Sequence, residues 1–492
     1  MMSTKTTRAV LSRATLSSLP DAVERPNYAL DDVDIGIVHF GPGAFHRAHQ
    51  AVYLDALLAT DPRWSICGVS LHSAGVRDAL ATQDGLYTLA LLDEQPSLRV
   101  IGSLREILCA PQQQAQVLTR LAQPQIKLVT LTITEKGYCL AGDGLDMAHP
   151  DIVHDVASPQ TPRSAIGYLV AGLRERHRQG TAPFTVLSCD NLADNGGRLR
   201  GAVLAFAERI DSALAQWIER EVAFPRSMVD SITPATDDAL RERVCSQLGV
   251  ADAWPIQREA YTQWVVEDRF CNARPALESV GVTLSDDIAG YDRAKLRLLN
   301  GPHSTLAYVG SLMGIGTVAE AMRDEALAGF VERLMRQDMA PTLKAPQGFD
   351  AQAYTSAILA RFRNPAIAHK LSQIAWDGSQ KLPVRLMGTI ADALDAGADI
   401  ARLCLPVAAW MHFVRRQAQA GERLVDPLEA RLGELGRAAS GQAEADVPAF
   451  LALDSVFAPW SGDARIRQSI TEAYAALGDG SPQATREAIR IV

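Results

Sequence analysis

Residues 291–303, YDRAKLRLLNGPH, hold the side chains with the greatest catalytic potential in the chain. On an ideal helix, at about 100° per residue, Asn300 lies about 140° from Lys295 and His303 lies about 80° from it. A lysine, an amide and an imidazole can therefore share one broad helical face. Pro302 leaves open whether a single helix reaches His303 or a new helix begins at that residue.

This combination of groups fits the oxidation of an alcohol and the reverse reduction of a ketone. Oxidation requires a base that takes the hydroxyl proton as hydride leaves, and Lys295 can act as that base if burial and nearby positive charge lower its pKa. Amide side chains can hold the developing alkoxide without titrating, which suits Asn300. Asn191 follows a predicted strand and is a second candidate, because ligands of open parallel sheets bind at the carboxyl ends of strands.

Each of these residues by itself also fits a structural role. A single lysine on a helix is usually solvated, a histidine among apolar residues is usually packed, and Asn191 could cap the helix that follows it. Tyr291 and Lys295 also form Y-x-x-x-K, the pair of short-chain dehydrogenases, in which the tyrosine is the acid/base and the chain is much shorter. The prediction of a lysine base therefore depends on the combination and order of the groups.

A glycine turn at residues 41–46 offers a place for a dinucleotide. Its candidate cofactor-binding residues are Gly41, Gly43, Ala44, Phe45 and His46. A strand, a glycine turn and a helix N-terminus together form a pyrophosphate site, because glycines let the backbone approach the phosphates and helix amides favour their charge. His46 stands where the usual fingerprint has its third glycine, so the match is partial.

The cofactor is predicted to be NAD, although the sequence leaves the choice against NADP open. The second predicted strand is followed by SLHS (70–73), without the acidic residue that often binds the ribose 2′-hydroxyl in NAD enzymes. Arg77 could accept a 2′-phosphate, but it also fits a solvated helix position.

The elements around these residues predict an α/β fold. Short apolar runs predict strands at 33–40, 66–69, 87–92, 126–133 and 184–189. Helical spacing predicts helices at 48–58, 76–81, 112–121 and 164–178. Continuously apolar strands separated by helices indicate a parallel sheet covered on both faces, in a Rossmann-type doubly wound domain.

The pattern becomes mainly helical from about residue 287, as in 306–321, 325–335 and 351–362. We therefore predict two domains. Residues 1–286 form a Rossmann-type dinucleotide-binding domain with an N-terminal arm, and residues 287–492 form a mainly α-helical substrate and catalytic domain.

Composition restricts the classes of partner. The 492 residues are 47% hydrophobic and carry a formal net charge of −9. A net acidic chain without a basic tract argues against nucleic acid or an anionic membrane surface, which leaves small metabolites as the natural partners. The seven cysteines are scattered and form no C-x-x-C pair, which argues against a disulfide framework and a structural zinc site.

The N-terminus and the hydropathy pattern bear on location. No apolar run reaches the ~18 residues of a transmembrane helix. The first 20 residues contain three basic residues and no acid, a composition that resembles a transit peptide. Leu11, Leu16 and Leu19 favour an arm that packs on the folded domain instead, so we predict a cytoplasmic protein.

Seven stretches of the chain together resemble the polyol-specific long-chain dehydrogenases, the family of mannitol dehydrogenase and fructuronate reductase. They are IVHFGPGAFHRAHQ (37–50), TITEKGY (132–138), SCDNLADN (188–195), FPRSMVD (224–230), QWVVEDRF (263–270), KLRLLNGPHS (295–304) and WDGSQKLP (376–383). They follow the family's order over most of the chain. The resemblance implies a Rossmann-type domain, a helical C-terminal domain, a substrate held between them and no metal. Pro302 departs from the family pattern, which usually has a small residue there.

The resemblance also implies roles for individual residues. Lys295 resembles the family's base, and Asn191 and Asn300 resemble its oxyanion donors. The other matching positions are His303 as a substrate-orienting residue, Asp230 and Lys381 as polar substrate contacts, and Asp292 as an acid linked to a proton exit.

Within the family, the chain is more similar to the fructuronate reductase (D-mannonate oxidoreductase) branch than to the mannitol 2-dehydrogenases. An enzyme of that branch would reduce D-fructuronate to D-mannonate, usually with NADH, in hexuronate metabolism. Because its substrate carries a carboxylate, a cation should face it, and Lys381 and Arg385 are candidates. Mannitol 2-dehydrogenase or a related polyol dehydrogenase stays the alternative, since the same motifs serve both activities. A non-catalytic NADH-binding sensor is disfavoured because it needs no proton acceptor. The sequence does not determine the oligomeric state.

Overall fold

A computed structural model of the protein describes residues 8–93, 95–367 and 369–492. The chain divides into two units, Met1–Ile288 and Ala289–Val492. The first unit combines helices with several sheets, and the second is built mainly from helices. The α/β Rossmann-type fold followed by a mainly α-helical domain is therefore confirmed.

The first unit contains the following elements. Its strands are β1 (Val23–Glu24), β2 (Ile35–Phe40), β3 (Ser65–Ser70), β4 (Tyr87–Leu92), β5 (Ser97–Ile101), β6 (Leu104–Cys109), β7 (Leu128–Leu131), β8 (Leu140–Ala141), β9 (Gly144–Leu145), β10 (Thr185–Ser188), β11 (Ser227–Asp230), β12 (Ile256–Glu259), β13 (Gln263–Val266) and β14 (Thr283–Leu284). Its α-helices are α1 (Ala44–Ala48), α2 (Gln50–Leu57), α3 (Gly75–Ala81), α4 (Ala110–Ala122), α5 (Thr134–Gly137), α6 (Pro150–Ala157), α7 (Ala165–Gln179), α8 (Asn195–Ile210), α9 (Ser212–Glu221) and α10 (Asp238–Leu248). Short 3-10 turns lie at Arg13–Ser18, Pro62–Trp64 and Leu277–Val280.

The central sheet has five parallel strands in the order β10-β7-β2-β3-β6. The chain adds β3 and β6 on one side of β2 and then β7 and β10 on the other, which is the doubly wound order. The direction of winding therefore changes between β2 and β7. Ligands of such sheets bind beyond the carboxyl ends of the strands at this switch point, and the glycine turn directly follows β2.

The central strands are apolar at successive positions because both faces of the sheet are covered. Ile37 of β2 belongs to one core cluster, whereas Val38 and Phe40 belong to another. In β7, Leu128 joins the cluster of Ile37, and Val129 joins the cluster of Val38. Since neighbouring side chains of a strand point to opposite faces, both sides of these strands carry apolar residues, and the two buried polar side chains, His39 and Thr130, pair with each other at 2.7 Å.

The sheet differs from the sequence prediction at two strands. Residues 87–92 form β4 as predicted, but β4 belongs to a second, mixed sheet in the order β1-β5-β4-β12. One of the two edge strands of the parallel sheet is β6, for which no strand was predicted. Arg105 and Glu106 lie on β6, so this strand lacks the continuous apolar run of the central strands. A third sheet, β11-β13-β14, places Asp230 opposite Gln263.

The N-terminal segment packs on the first unit through the leucines that the sequence singles out. Leu11 and Leu19 are buried in a cluster with Val23 and Leu86, and Leu16 packs partly buried against the same cluster. The backbone N–H of Leu11 donates to the carbonyl of Ala251 at 2.8 Å. Residues 1–7 lie outside the described part of the chain.

The second unit contains the remaining helices. They are α11 (Ile288–Lys295), α12 (Gly301–Leu312), α13 (Val318–Ala321), α14 (Glu325–Arg333), α15 (Ala351–Arg363), α16 (Leu371–Ile374), α17 (Gly378–Leu382), α18 (Gly388–Asp395), α19 (Ala401–Gln419), α20 (Glu429–Ala438), α21 (Ala443–Leu451), α22 (Asp454–Phe457), α23 (Ala464–Ala476) and α24 (Pro482–Ile491). π-Helical turns lie at Leu296–Asn300, Leu334–Met339 and Pro383–Met387, and 3-10 turns at Ala340–Thr342 and Trp460–Gly462. Among the helices of the described residues, none is long and apolar enough to span a membrane.

The single helix predicted over residues 306–321 divides in two. α12 ends near Gly314, which has φ +75°, a left-handed conformation that glycine adopts without steric cost. A capping box then begins α13: the N–H of Glu320 donates to the Thr317 hydroxyl at 3.3 Å, and the N–H of Thr317 donates to the Glu320 carboxylate at 3.0 Å.

Candidate active site

One helix carries Lys295, Asn300 and His303 in the second unit. It runs from α11 through the π-helical turn Leu296–Asn300 directly into α12, and the N–H of Gly301 donates to the carbonyl five residues earlier. A π-turn has more residues per turn than an α-helix, so each residue rotates by less than 100°. Asn300 therefore lies closer to the helical face of Lys295 than the 140° expected for an ideal α-helix.

Pro302 does not break this helix, which answers the question that the sequence left open. In a regular α-helix the proline ring would clash with the carbonyl of Leu298, four residues earlier. The π-turn that ends at Asn300 is wider than an α-helical turn. Just before the proline, residues four positions apart are therefore not placed as they are in a regular α-helix. The helical conformation therefore continues through Pro302, and His303 lies on the same continuous helix as Lys295.

A second π-turn, Pro383–Met387, brings Arg385 to this helix. The guanidinium of Arg385 donates to the hydroxyl of Ser304 at 3.1 Å and to the carbonyl of Asn300 at 3.5 Å. A Cβ on Gly301 would lie only 3.0 Å from the carbonyl oxygen of Arg385. Glycine at position 301 therefore permits the close approach that places Arg385 beside Asn300.

Lys295 and His303 are both buried, with 9% and 8% of their surface exposed. The His303 ring packs against Phe362 and His369, with centroids at 4.5 and 5.3 Å. Burial holds the pKa of His303 well below its usual value, and the nearby charges of His369, Arg361 and Arg385 act in the same direction. His303 is therefore neutral at physiological pH and can donate one hydrogen bond and accept another.

Lys381 lies near Arg385 and His369, two of the residues that lower the pKa of His303. Its ammonium donates to the carbonyl of Ile374 at 3.3 Å and to that of Trp376. Burial lowers the pKa of Lys381, as does the positive charge of Arg385. Lys381 in turn lowers the pKa of His369, for which burial is the larger cause. The second unit thus places cations next to the helix of Asn300 and His303.

Tyr291 and Asp292 lie on α11, close to Lys295 in sequence. Tyr291 is 9% exposed, and its ring meets that of Phe349 edge to face with centroids 5.5 Å apart. Asp292 is partly exposed and stands three residues, nearly one helical turn, before Lys295. The proton-relay role of Asp292 stays a prediction.

The glycine turn of the first unit is fixed by contacts with the segment after β7. Gly41 has φ +88°, and a Cβ there would lie 2.2 Å from the carbonyl oxygen of Thr132. The Gly41 carbonyl accepts hydrogen bonds from the Thr132 hydroxyl at 2.8 Å and lies 3.1 Å from Nε2 of His39. Gly43 is different, because its φ is −73° and the nearest atom to a Cβ is 3.9 Å away. Gly41 shapes the turn, and Gly43 leaves open space above it.

His46 fills the position of the third glycine by packing rather than by leaving space. It is fully buried, and its ring stacks on His39 of β2 at 3.4 Å with an interplanar angle of 11°. Burial lowers the pKa of both imidazoles, that of His39 to about 3.

The helix after the turn is short: α1, which starts at Ala44 and includes Phe45, ends at Ala48, and α2 begins at Gln50. The single helix predicted over 48–58 is therefore wrong at its start, where His49 interrupts it with φ −121° and ψ −89°.

Asn191 and Asp230 lie at the ends of different strands of the first unit. Asn191 is exposed and follows β10, whereas Asp230 is buried and is the last residue of β11. Asn195 links the two strands, because its side-chain amide donates to the carbonyls of Ser227 at 2.8 Å and Asp190 at 3.2 Å, and its oxygen accepts from the N–H of Ser227 at 3.1 Å. The structure thus gives Asn195 a positioning role that the sequence prediction missed.

Asp190 is a second residue that the prediction missed. Its carboxylate accepts the N–H groups of Ile133 at 2.9 Å and Thr134 at 3.0 Å and the hydroxyl of Tyr138 at 2.7 Å. Thr134 has φ +63°, an unusual conformation for a β-branched residue, and such strain is commonly found at functional sites. The signal in the sequence was the TITEKGY stretch, which contains all three of the donors.

Residues 8–93, 95–367 and 369–492 contain no group of three or more His, Cys, Asp or Glu side chains that could hold a metal ion. All seven cysteines are unpaired thiols.

Comparison with known proteins places the chain in a family. The model of the mannitol dehydrogenase Rossmann domain matches residues 35–279, and that of the mannitol dehydrogenase C-terminal domain matches residues 287–478. The chain is 41% identical over 474 residues to a D-mannonate oxidoreductase of Escherichia coli (strain K12). The matched region covers 94% of this chain and 96% of that protein. A solved ternary complex of Pseudomonas fluorescens mannitol 2-dehydrogenase with NAD and D-mannitol is 37% identical, covers 97% of this chain and 98% of its own, and has a TM-score of 0.79. A substrate-free D-sorbitol dehydrogenase structure is 33% identical, covers 98% and 100%, and has a TM-score of 0.91. The chain belongs to the mannitol dehydrogenase family.

Proposed function

We propose that the protein interconverts D-fructuronate and D-mannonate by hydride transfer with NAD(H), without a metal, and with Lys295 as the general acid/base. The observation that carries this proposal is the position of Arg385, whose guanidinium lies against Ser304 and Asn300 on the helix of Lys295. A guanidinium matches a carboxylate in charge and in geometry. The 41% identity to a D-mannonate oxidoreductase supports the same substrate class.

In this proposal Lys295 accepts the hydroxyl proton of mannonate and returns it when fructuronate is reduced. Its burial excludes competing water from the proton transfer. The amides of Asn191 and Asn300 stabilise the developing alkoxide, and neutral His303 orients the hydroxyl. Further proposed roles are a polar substrate contact for Asp230, carboxylate binding for Lys381 and Arg385, and proton exchange with solvent for Asp292.

The cofactor is proposed to bind at residues 41–46 of the first unit. The open space beside Gly43 and the position of the turn at the switch point of a doubly wound sheet both fit a dinucleotide pyrophosphate. When bound, NAD accepts or donates the hydride. Ala44, Phe45 and His46 follow the turn. The side chains of His39 and Thr132 stabilise the turn through their contacts with the Gly41 carbonyl. We therefore propose cofactor binding by residues 1–286 and substrate chemistry mainly by residues 287–492.

Alanine substitutions at the two glycines are expected to separate folding from cofactor binding. Gly41→Ala should destabilise the protein by at least about 2 kcal/mol, because the new Cβ meets the Thr132 carbonyl and the left-handed φ disfavours alanine. Gly43→Ala should keep the wild-type Tm but raise the NADH Kd by about tenfold, since its Cβ points into open space. Thermal unfolding without cofactor and NADH fluorescence titration measure the two effects. Wild-type NADH affinity in Gly43→Ala would contradict this site.

A second candidate function is that of a mannitol 2-dehydrogenase acting on mannitol and fructose. The observation that favours it is the 37% identity to the Pseudomonas fluorescens enzyme, whose ternary complex contains NAD and D-mannitol. A non-catalytic NADH sensor is less well supported, because a buried lysine, an amide and an imidazole on one helix would serve no purpose in it.

The purified protein, NADH or NADPH, and either fructuronate or fructose distinguish these functions. We expect kcat/KM to be highest for fructuronate with NADH and unchanged after incubation with EDTA. A much higher kcat/KM for fructose would overturn the uronate assignment in favour of mannitol 2-dehydrogenase. No oxidation of NADH with either sugar, in protein that binds NADH, would favour the sensor.

A further inference from the structure

We propose that Asp426 is a positioning residue for Lys381, because it holds the turn of residues 374–381 on which the Lys381 ammonium rests. This inference depends on the proposed role of Lys381 in binding the substrate carboxylate. The residues involved all belong to the second unit, and Asp426 lies outside every stretch that the sequence singled out.

The turn contains a residue in an unfavourable conformation. Asp377 has φ +55°, a left-handed conformation that residues other than glycine adopt infrequently. Its N–H donates to the carbonyl of Val425 at 2.9 Å, and its own carbonyl accepts the N–H groups of Gln380 at 3.1 Å and Lys381 at 3.0 Å. Such a conformation persists only where the surroundings impose it.

Asp426 contributes to that constraint through Ser379, two residues after Asp377. Its carboxylate accepts the N–H of Ser379 at 2.9 Å and the Ser379 hydroxyl at 2.5 Å, and the same carboxylate accepts the N–H of Leu428 at 2.9 Å. Ser379 is only 4% exposed, so the bonds to it are shielded from water. The carboxylate thereby joins the first turn of α17 to the loop before α20.

The other side of the turn is closed by aromatic side chains. A Cβ on Gly378 would lie 2.5 Å from the indole nitrogen of Trp410 and 2.7 Å from the hydroxyl of Tyr308. Tyr308 also donates to the carbonyl of Ala375 at 3.4 Å. Since Tyr308 belongs to α12, the helix that contains His303, the turn is pressed between α12 and the Asp426 loop. Loss of the Asp426 contacts would free only the side that faces this loop.

The Lys381 ammonium depends on this turn because its acceptors are the turn's own carbonyls, those of Ile374 and Trp376. Charge is a second link. Asp377 and Asp426 raise the pKa of Lys381, against the larger effect of burial and the positive charge of Arg385. His369 also faces Lys381, and its pKa is lowered by burial and by that lysine. Removing the charge of Asp426 therefore lowers the pKa of Lys381.

The decisive variant is Asp426→Asn, which keeps the size of the side chain but removes its charge and one acceptor for Ser379. We expect the KM for fructuronate to rise about tenfold, with kcat and the NADH Kd changed less than twofold. If Lys381 binds the carboxylate as an ammonium, KM rises at alkaline pH, and in Asp426→Asn this rise should begin at lower pH. Asp426→Glu keeps the charge, so it should restore the alkaline profile of the wild type.

Matched controls make the test specific. Glu429→Gln removes an exposed carboxylate near the same loop, one that pairs with Arg423 at 3.5 Å, and should leave KM and its pH profile unchanged. Ser379→Ala removes one hydrogen bond without changing charge, so it should raise KM without shifting the alkaline profile.

Lys381→Met separates this inference from the proposed function. If Lys381→Met leaves the KM for fructuronate unchanged, the proposed role of Lys381 is wrong and the inference is overturned with it. If Lys381→Met raises KM but Asp426→Asn shows the wild-type KM and pH profile, only the inference is overturned. A lower kcat with unchanged KM in Asp426→Asn would also overturn it, since that result indicates loss of folded enzyme rather than displacement of Lys381.

Discussion

Replacing Lys295 with methionine is expected to lower kcat/KM for fructuronate reduction by about 10²- to 10⁴-fold, the usual contribution of a general acid or base. Lys295 is only 9% exposed, and methionine has a side chain of similar length, so the helix should fold normally. Methionine can neither donate nor accept the proton. NADH binding should remain close to that of the wild type, because the cofactor is assigned to the glycine turn. Steady-state kinetics and NADH fluorescence titration measure the two quantities.

Two further variants on the same helix serve as controls for Lys295→Met. Arg293→Met removes an exposed cation two residues away and should retain nearly full activity. Tyr291→Phe removes only the hydroxyl and should retain substantial activity, whereas a short-chain mechanism led by Tyr291 requires that it be inactive. Wild-type kcat/KM in Lys295→Met at its own pH optimum would show that another group is the base.

Replacing Arg385 with methionine is expected to lower kcat/KM for fructuronate by about 10- to 100-fold, since a charged hydrogen bond to the carboxylate is lost. The effect on fructose, which has no carboxylate, should be much smaller. The kcat/KM of Arg385→Lys for fructuronate should lie between those of the wild type and Arg385→Met, because lysine keeps the charge but lacks the bidentate geometry. The selectivity ratio, kcat/KM for fructuronate divided by that for fructose, is the quantity to compare among the three proteins.

The same comparison tests a structural role for Arg385. Arg385 also donates to Ser304 and to the carbonyl of Asn300, so it could act by holding the helix of the site. In that case both substrates would lose activity equally, and the selectivity ratio would stay at its wild-type value. Arg363→Met, which removes an exposed arginine of the same unit, is the control for a general loss of positive charge.

Much of the first unit could be predicted from local sequence. Strands such as Ile35–Phe40 and Leu128–Leu131 are mainly apolar on both sides because both faces of the central sheet are covered. The edge strand Leu104–Cys109 was missed because it lacks that run, and Tyr87–Leu92 was assigned to the wrong sheet because a strand's apolar pattern does not reveal its partner. Pairing is decided by contacts between distant segments.

The local sequence determined the composition and the approximate active face of the helix that contains Lys295. Residue types and spacing indicated that Lys295, Asn300 and His303 can share one broad helical face, and they placed a glycine turn after the first predicted strand. Only the tertiary structure decided the π-turn at Leu296–Asn300, the continuation through Pro302 and the approach of Arg385 to Asn300. The approach of Arg385 depends on Gly301 meeting the carbonyl of a residue 84 positions later, a contact that no local pattern of the helix contains.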